Sequence, residues 1–206
     1  MNSQNSEVLI FTGPHGAGKD SVESAFRSEN AEVSKIVRHI TRPVNAAELD
    51  GIDYHFVTTD EFHRMISLDK FIEYARYPDV YSGTSYRSLE IALSKTNYAS
   101  LTANVEDATT LVEKIERLGY KVRSFFISPV SMDSFTNSPE QYLDTLKRRM
   151  ENRGRPDDRI VNKLGKAAIY REIYLKQPHL FQYIPNVNDR LGTAVSMVSA
   201  SLNLSR

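Results

Sequence analysis

Apolar positions along this chain switch repeatedly between strand-like runs and helical spacing. Val8-Leu9-Ile10-Phe11 is a continuous apolar run ending at Thr12-Gly13, the pattern of a buried strand that stops at a turn. From Lys19 to Ser28, Val22, Ala25 and Phe26 share one helical face, and Val33 to Val37 gives a second short strand. Residues 38–57 show no period and contain a Pro and a Gly, so they predict a long loop entering a strand, and ordered loops of that length are usually functional. Thr58 and Glu61 have the spacing of a capping box ahead of the helical face Phe62, Met65 and Ile66.

Downstream, Phe71-Ile72-Glu73-Tyr74-Ala75 reads as a short strand carrying one carboxylate, and Val80 and Tyr81 lead into Gly83-Thr84. Ser85 to Ser94 reads as a helix, Ala99 to Ala103 as a strand, and Leu111, Val112, Ile115 and Leu118 as the face of a helix ended by Gly119. Lys121 to Ile127 is a strand, and Ser138-Pro139 supplies a cap and a first-turn proline for a helix containing Leu143, Leu146 and Met150. A long helix over 159–175, a strand over 180–184 and a last helix over 191–202 complete the chain. Strands alternating with helices predict an α/β fold, a parallel sheet with helices on both faces.

Composition narrows this picture. At 206 residues the chain suits one α/β core with an appended lobe. Lys and Arg total 26 and Asp and Glu total 26, so no global charge favours nucleic acid or a membrane surface, and an anion site has to be built locally. There is no cysteine, which removes disulfides and thiolate chemistry. No apolar run approaches the length of a membrane span and the first seven residues lack a basic flank, so the expectation is a cytoplasmic protein, monomeric or homodimeric.

The chemistry begins at Gly13-Pro14-His15-Gly16-Ala17-Gly18-Lys19, between the first strand and the first helix. Glycines let backbone N–H groups curl around an anion, the helix aims the positive end of its dipole at the same point, and Lys19 adds a full charge. This is the pattern of a phosphate-binding loop for ATP. The motif asks next for Ser or Thr, whose hydroxyl ligates magnesium; Asp20 stands there, with Ser21 one place late. An aspartate beside a polyphosphate is repulsive unless a cation lies between, so Asp20 and Ser21 are the expected Mg2+ residues. A second basic cluster, Lys147, Arg148, Arg149, Arg153 and Arg155, closes the helix after Pro139, with Arg149 and Arg153 spaced to share a face.

With these pieces placed, the chain resembles the guanylate kinase family over nearly its whole length, through GPHGAGKD, TRPVNAAELDGIDYHFVTTDEF, the FIEY and YSGTS pair, RRMENRGR and VNDRL. The resemblance implies a phosphate-loop three-layer sandwich in a single domain over 1–206: a core (7–37, 99–140 and 165–206), a monophosphate-binding lobe (38–90) and a helical lid (141–164). It implies phosphoryl transfer from ATP with Mg2+ to a nucleoside monophosphate, most simply GMP. Arg42 and Tyr54 match residues that hold the acceptor phosphate. Glu73 matches the carboxylate that accepts from guanine N1 and N2, and Thr84 a hydroxyl near the guanine carbonyl. Arg149, Arg153 and Lys163 match lid cations, and Asn188 a residue near the adenine.

Four positions depart from that pattern. Asn45 replaces a phosphate-binding arginine, and Ser82 a phosphate-binding tyrosine for which the adjacent Tyr81 is expected to compensate. Arg38 replaces a serine and is expected to add a cation near the acceptor phosphate. Thr102 and Asn104 stand where the family carries aspartates, which implies that the negative charge on the metal side has moved to Asp20. The GKDS ending of the loop and the ITR segment also resemble ribose 1,5-bisphosphate phosphokinases, so a sugar phosphate is the alternative acceptor. A guanylate kinase-like binding module without catalysis is the alternative from another class, and a nucleic-acid binder is disfavoured by the balanced charge.

Overall fold

The computed structural model describes residues 6–77, 79–154 and 156–202; Arg155 of the basic cluster lies outside them. Among the described residues, a five-stranded sheet runs in the order β2-β7-β1-β8-β9, formed by β1 (Glu7–Thr12), β2 (Val33–Lys35), β7 (Tyr98–Thr102), β8 (Lys121–Ser128) and β9 (Gln182–Pro185). The β2·β7 and β8·β9 pairs are parallel. A four-stranded sheet in the order β4-β3-β6-β5 is formed by β3 (His39–Ile40), β4 (His55–Phe56), β5 (Phe71–Tyr77) and β6 (Val80–Ser85). Here β5·β6 and β3·β6 are antiparallel and β3·β4 parallel, so the fold holds a mixed sheet in addition to the predicted parallel one.

The chain divides into two compact units. One comprises the chain up to Leu9, Ala31–Leu101 and Thr109–Val122. It contains the mixed sheet with α2 (Thr59–Ser67) and α3 (Tyr86–Lys95). Thr58 caps α2 through a complete capping box, its hydroxyl accepting from the Glu61 N–H while Glu61 accepts from the Thr58 N–H. Phe62 of α2 stacks on Phe71 of β5 with ring centroids 4.4 Å apart, fixing the helix on that face of the sheet. The predicted long loop is interrupted by β3 and β4, too short to register as apolar runs.

The other unit comprises Ile10–Asn30, Thr102–Ala108 and the chain from Arg123 on. It contains α1 (Lys19–Glu29), α5 (Met132–Asn137), α6 (Pro139–Glu151), α7 (Asp157–Lys176) and α8 (Leu191–Ser201); α4 (Val105–Arg117) starts in it. α1 packs on α8, and α6 on both α5 and α7. Phe126, Phe135 and Tyr174 form a buried aromatic cluster, with the Phe126 and Tyr174 rings 4.9 Å apart. Pro139 takes the first turn of α6 as predicted, but Ser138 makes no side-chain cap. α6 stops at Glu151, where the Arg153 and Gly154 N–H groups turn back three residues to the carbonyls of Met150 and Glu151 and Gly154 adopts a φ of +67°.

Candidate functional site

The loop after β1 takes its shape from contacts that exclude side chains. Gly13 has a φ of +139°, and a Cβ there would strike the Ile127 carbonyl. Gly18, at φ +91°, would put a Cβ 2.5 Å from Asn186 Nδ2. Gly18 is also the N-cap of α1 and offers no side-chain acceptor, so the first-turn N–H groups keep their capacity for an external anion. Pro14 accepts from the Ala17 N–H at 3.2 Å and closes the loop over His15 and Gly16.

Lys19 is buried, and its Nζ lies 3.3 Å from Asp20 Oδ2. Desolvation works against the charge on Asp20, yet Lys19, a hydrogen bond with Thr102 and the nearby His15 outweigh it and hold the carboxyl below its ordinary range. Its side chain stays 71% exposed, open to a further cation. The Asp20 carboxylate therefore lies against Thr102, one of the neutral positions where an aspartate was expected. Ser21 is exposed on the next position. Asp20, Ser21 and Thr102 supply hard oxygen donors, and among the described residues no three His, Cys, Asp or Glu could hold a metal by themselves. That set suits Mg2+ shared with phosphates and water better than an all-protein cage.

Around this loop the same unit gathers further cations. Arg149 of α6 donates from Nη2 to the Asn186 carbonyl at 2.7 Å, and its Nη1 lies 3.4 Å from the carbonyls of Gly16 and Ala17. Lys163 Nζ approaches His15 Nε2 to 3.0 Å; a lysine only donates, so this contact needs that ring nitrogen unprotonated. One expectation is corrected. Arg153 does not share a helical face with Arg149, since α6 ends before it and Arg153 is exposed in the following turn. Asn188 is exposed with a φ of 53°, whereas Asn186, buried to 3% exposure, donates from Nδ2 to the Ala17 carbonyl at 2.9 Å.

The other unit assembles the acceptor candidates by itself. Glu73 on β5 faces Thr84 on β6 in register, and both are buried. Thr84 donates to Glu73 Oε1 at 2.8 Å. Arg38, expected beside a phosphate, instead donates from Nη2 to the same Oε1 at 2.7 Å and from Nε to Thr84 Oγ1 at 3.1 Å. The reason is its place just before β3, whose pairing with β6 at His39 and Gly83 sets Arg38 beside Thr84.

Arg42 is held by Glu48 through two bonds of 2.6 Å, with its guanidinium 5.3 Å from the centre of the Tyr54 ring and 5.5 Å from that of Phe56. This fork drives Glu48 down to about 2. Asn45 adds its N–H to Glu48 at 3.0 Å. Tyr81 does not compensate for Ser82: its ring packs between Phe62 and His63, on the face of β6 opposite Ser82 and Thr84, as strand alternation requires.

The guanylate kinase family pattern matches residues 5–199. The chain belongs to the guanylate kinase family. It is 30% identical over 206 residues to the guanylate kinase of Thermus thermophilus, covering 100% of this chain and 83% of that one. To the guanylate kinase of Sulfurimonas denitrificans it is 32% identical over 164 residues, 78% of each chain. The crystal structure of guanylate kinase from Anaplasma phagocytophilum superposes with a TM-score of 0.67 at 22% identity, covering 97% of this chain and 86% of that one, which shows the shared fold. Within this guanylate kinase fold, sequence reasoning missed Asn186, Glu48 and the Arg38–Glu73 pair. A polar residue ending an apolar strand, Ile184-Pro185-Asn186, was the one available signal for the first.

Proposed function

We propose that this guanylate kinase family member transfers the γ-phosphoryl group of ATP to GMP, giving ADP and GDP. The observation that carries the reading is the buried Glu73 carboxylate with Thr84 at 2.8 Å. Guanine offers two adjacent donors, N1–H and the N2 amine, to such a carboxylate, while adenine presents an acceptor at N1. A site with this polarity favours guanine because its donors meet an acceptor, whereas the adenine N1 acceptor would face a carboxylate oxygen.

Loop N–H groups and Lys19 hold the β- and γ-phosphates of ATP, with Pro14, His15, Gly16 and Ala17 shaping the cradle. Arg149, anchored on the loop's own carbonyls, follows the charge on the transferring group, and Lys163 adds a second cation from α7. Mg2+, when bound, would supply neutralisation of the phosphate charge. Asp20, Ser21 and Thr102 are the residues that would face it, Asp20 supplying the negative charge that Thr102 and Asn104 lack. Arg42 and Tyr54 take the acceptor phosphate; with Asn45 and Ser82 in place of an arginine and a tyrosine, that grip is weaker than the family pattern. Phosphoryl transfer needs alignment and charge stabilisation rather than covalent help, and these residues supply both.

No helix among the described residues is long and apolar enough to cross a membrane. A cytoplasmic place, with ATP and GMP as partners, belongs to the same reading. The test is ADP release with ATP and Mg2+ against GMP, dGMP, AMP, UMP, CMP and ribose 1,5-bisphosphate, with a no-acceptor control. Turnover confined to GMP and dGMP is expected; turnover with the sugar bisphosphate alone, or with no acceptor, overturns the reading.

A further inference from the structure

The carboxylate assigned to the base is already engaged inside the protein. Glu73 Oε1 accepts from Arg38 Nη2 at 2.7 Å and from Thr84 Oγ1 at 2.8 Å, and the same guanidinium reaches Thr84 Oγ1 through Nε at 3.1 Å. Both partners of the ion pair are withdrawn from water, the Arg38 side chain 11% exposed and that of Glu73 4% exposed. This is a contact between elements far apart in the chain, formed across paired strands, and not a loose surface bridge.

The chemistry of the two competitors is alike. A guanidinium is a planar carbon carrying N–H donors side by side, and the N1–C2–N2 edge of guanine is a planar carbon carrying N–H donors side by side. What differs is charge: hydrogen bonds from a cation to a carboxylate are roughly twice as strong as those from a neutral group. Arg38 is also tethered, so it meets Glu73 at a high effective concentration whatever the nucleotide supply.

We propose that Arg38 is a specificity-determining residue acting as an internal surrogate for one donor of the guanine edge, which an incoming GMP must displace from Glu73 Oε1 before both of its donors can pair with the carboxylate. The inference rests on the reading of Glu73 as the base-recognising carboxylate. Acceptor binding in this protein is then an exchange at Oε1, a neutral N–H donor for a charged one, and bond for bond the resident donor is the stronger. Affinity for GMP is held low by Arg38, and the penalty falls on binding rather than on the transfer step, because the contact lies at the base and not at the transferring phosphate. A ligand without paired donors cannot drive the exchange and gains nothing when Arg38 is removed.

The experiment is calorimetric titration of GMP and of AMP into the full chain without ATP, for wild type, Arg38→Ser, Arg38→Lys and the double variant Arg38→Ser with Glu73→Gln, alongside steady-state kinetics. Arg38→Ser is expected to tighten GMP binding about tenfold or more, with AMP changed less than about threefold, and the gain appears in KM rather than kcat. Arg38→Lys, charged but without the planar fork, falls between, and it keeps the test alive if the serine variant does not fold. The double variant loses the gain. Unchanged or weaker GMP binding by a folded Arg38→Ser, with wild-type GMP turnover intact, overturns the surrogate and leaves the activity standing. No GMP binding and no GMP turnover by any form overturns the reading of Glu73 and the surrogate with it.

Discussion

The two units hold their arginines in opposite ways. In the unit of the phosphate loop, Arg149 donates to the backbone carbonyls of Gly16, Ala17 and Asn186, which set its position. In the other unit, Arg38 and Arg42 are fastened by carboxylates, Glu73 and Glu48, at 2.7 and 2.6 Å, so position is bought with neutralisation. A carbonyl-held cation is ready for a polyphosphate, whereas a carboxylate-held one gives up a partner before it can serve a ligand. On the proposed reading, the carbonyl-held arrangement is preorganised for an anion and the carboxylate-held one binds by exchange.

The largest test of this contrast removes the carbonyl-held charge. Arg149→Met is expected to lower kcat by about 10³, the lower end of what a cation on a transferring phosphoryl group supplies. Arg149→Lys keeps the charge without the fork and should recover part of the loss; a full recovery would show that the three carbonyl contacts do not matter. Lys19→Ala should lower turnover by about 10² to 10³, as loss of a charge-stabilising donor does elsewhere. A loss below tenfold in single-turnover ATP consumption would remove Lys19 from the transfer step.

Asp20 is a carboxylate among the cations of the phosphate-loop unit, and it sharpens the contrast because the proposed reading gives its charge to a metal. Asp20→Asn should raise the Mg2+ concentration for half-maximal rate about tenfold, roughly 1.4 kcal/mol of lost attraction. An unchanged Mg2+ dependence would leave Asp20 as a partner of Lys19 and Thr102 alone.

How much of this was legible depended on the range of each interaction. β1, the loop and α1 announce themselves because a continuous apolar run, three glycines and a lysine are all local signals. β6 was read only as a lead-in, since Ser82-Gly83-Thr84-Ser85 is small and polar and its strand exists through pairing with β5 and β3. The pairing of Arg38 with Glu73 was not legible for the same reason: the partner is 35 residues away, and opposite charges at that separation leave no periodic trace. Tyr81 went astray because a choice between faces of a strand needs the register, and nothing in the sequence there supplied it.

The smallest effect concerns pH and stability, and it separates the paired arginines from the histidines beside them. Glu48 titrates at about 2 in the folded protein against 4.5 when free, so its bond to Arg42 contributes fully above pH 4.5 and is lost only as pH falls toward 2. His39, desolvated and 4.8 Å ring to ring from His55, is lowered from 6.5 to about 4, with Asp50 opposing the shift. Between those values the unfolded chain takes up a proton that the folded chain refuses, so stability falls as pH drops from 6.5 to about 4, by at most about 3 kcal/mol. Denaturant midpoints measured from pH 7.5 to 4.5 should decline across that window in wild type and stay nearly flat in His39→Gln, because Glu48 remains ionised throughout. An equal decline in both would mean that a carboxylate pair in this unit is released much earlier than the Arg42 fork allows, and the description of its arginines as firmly neutralised would fail.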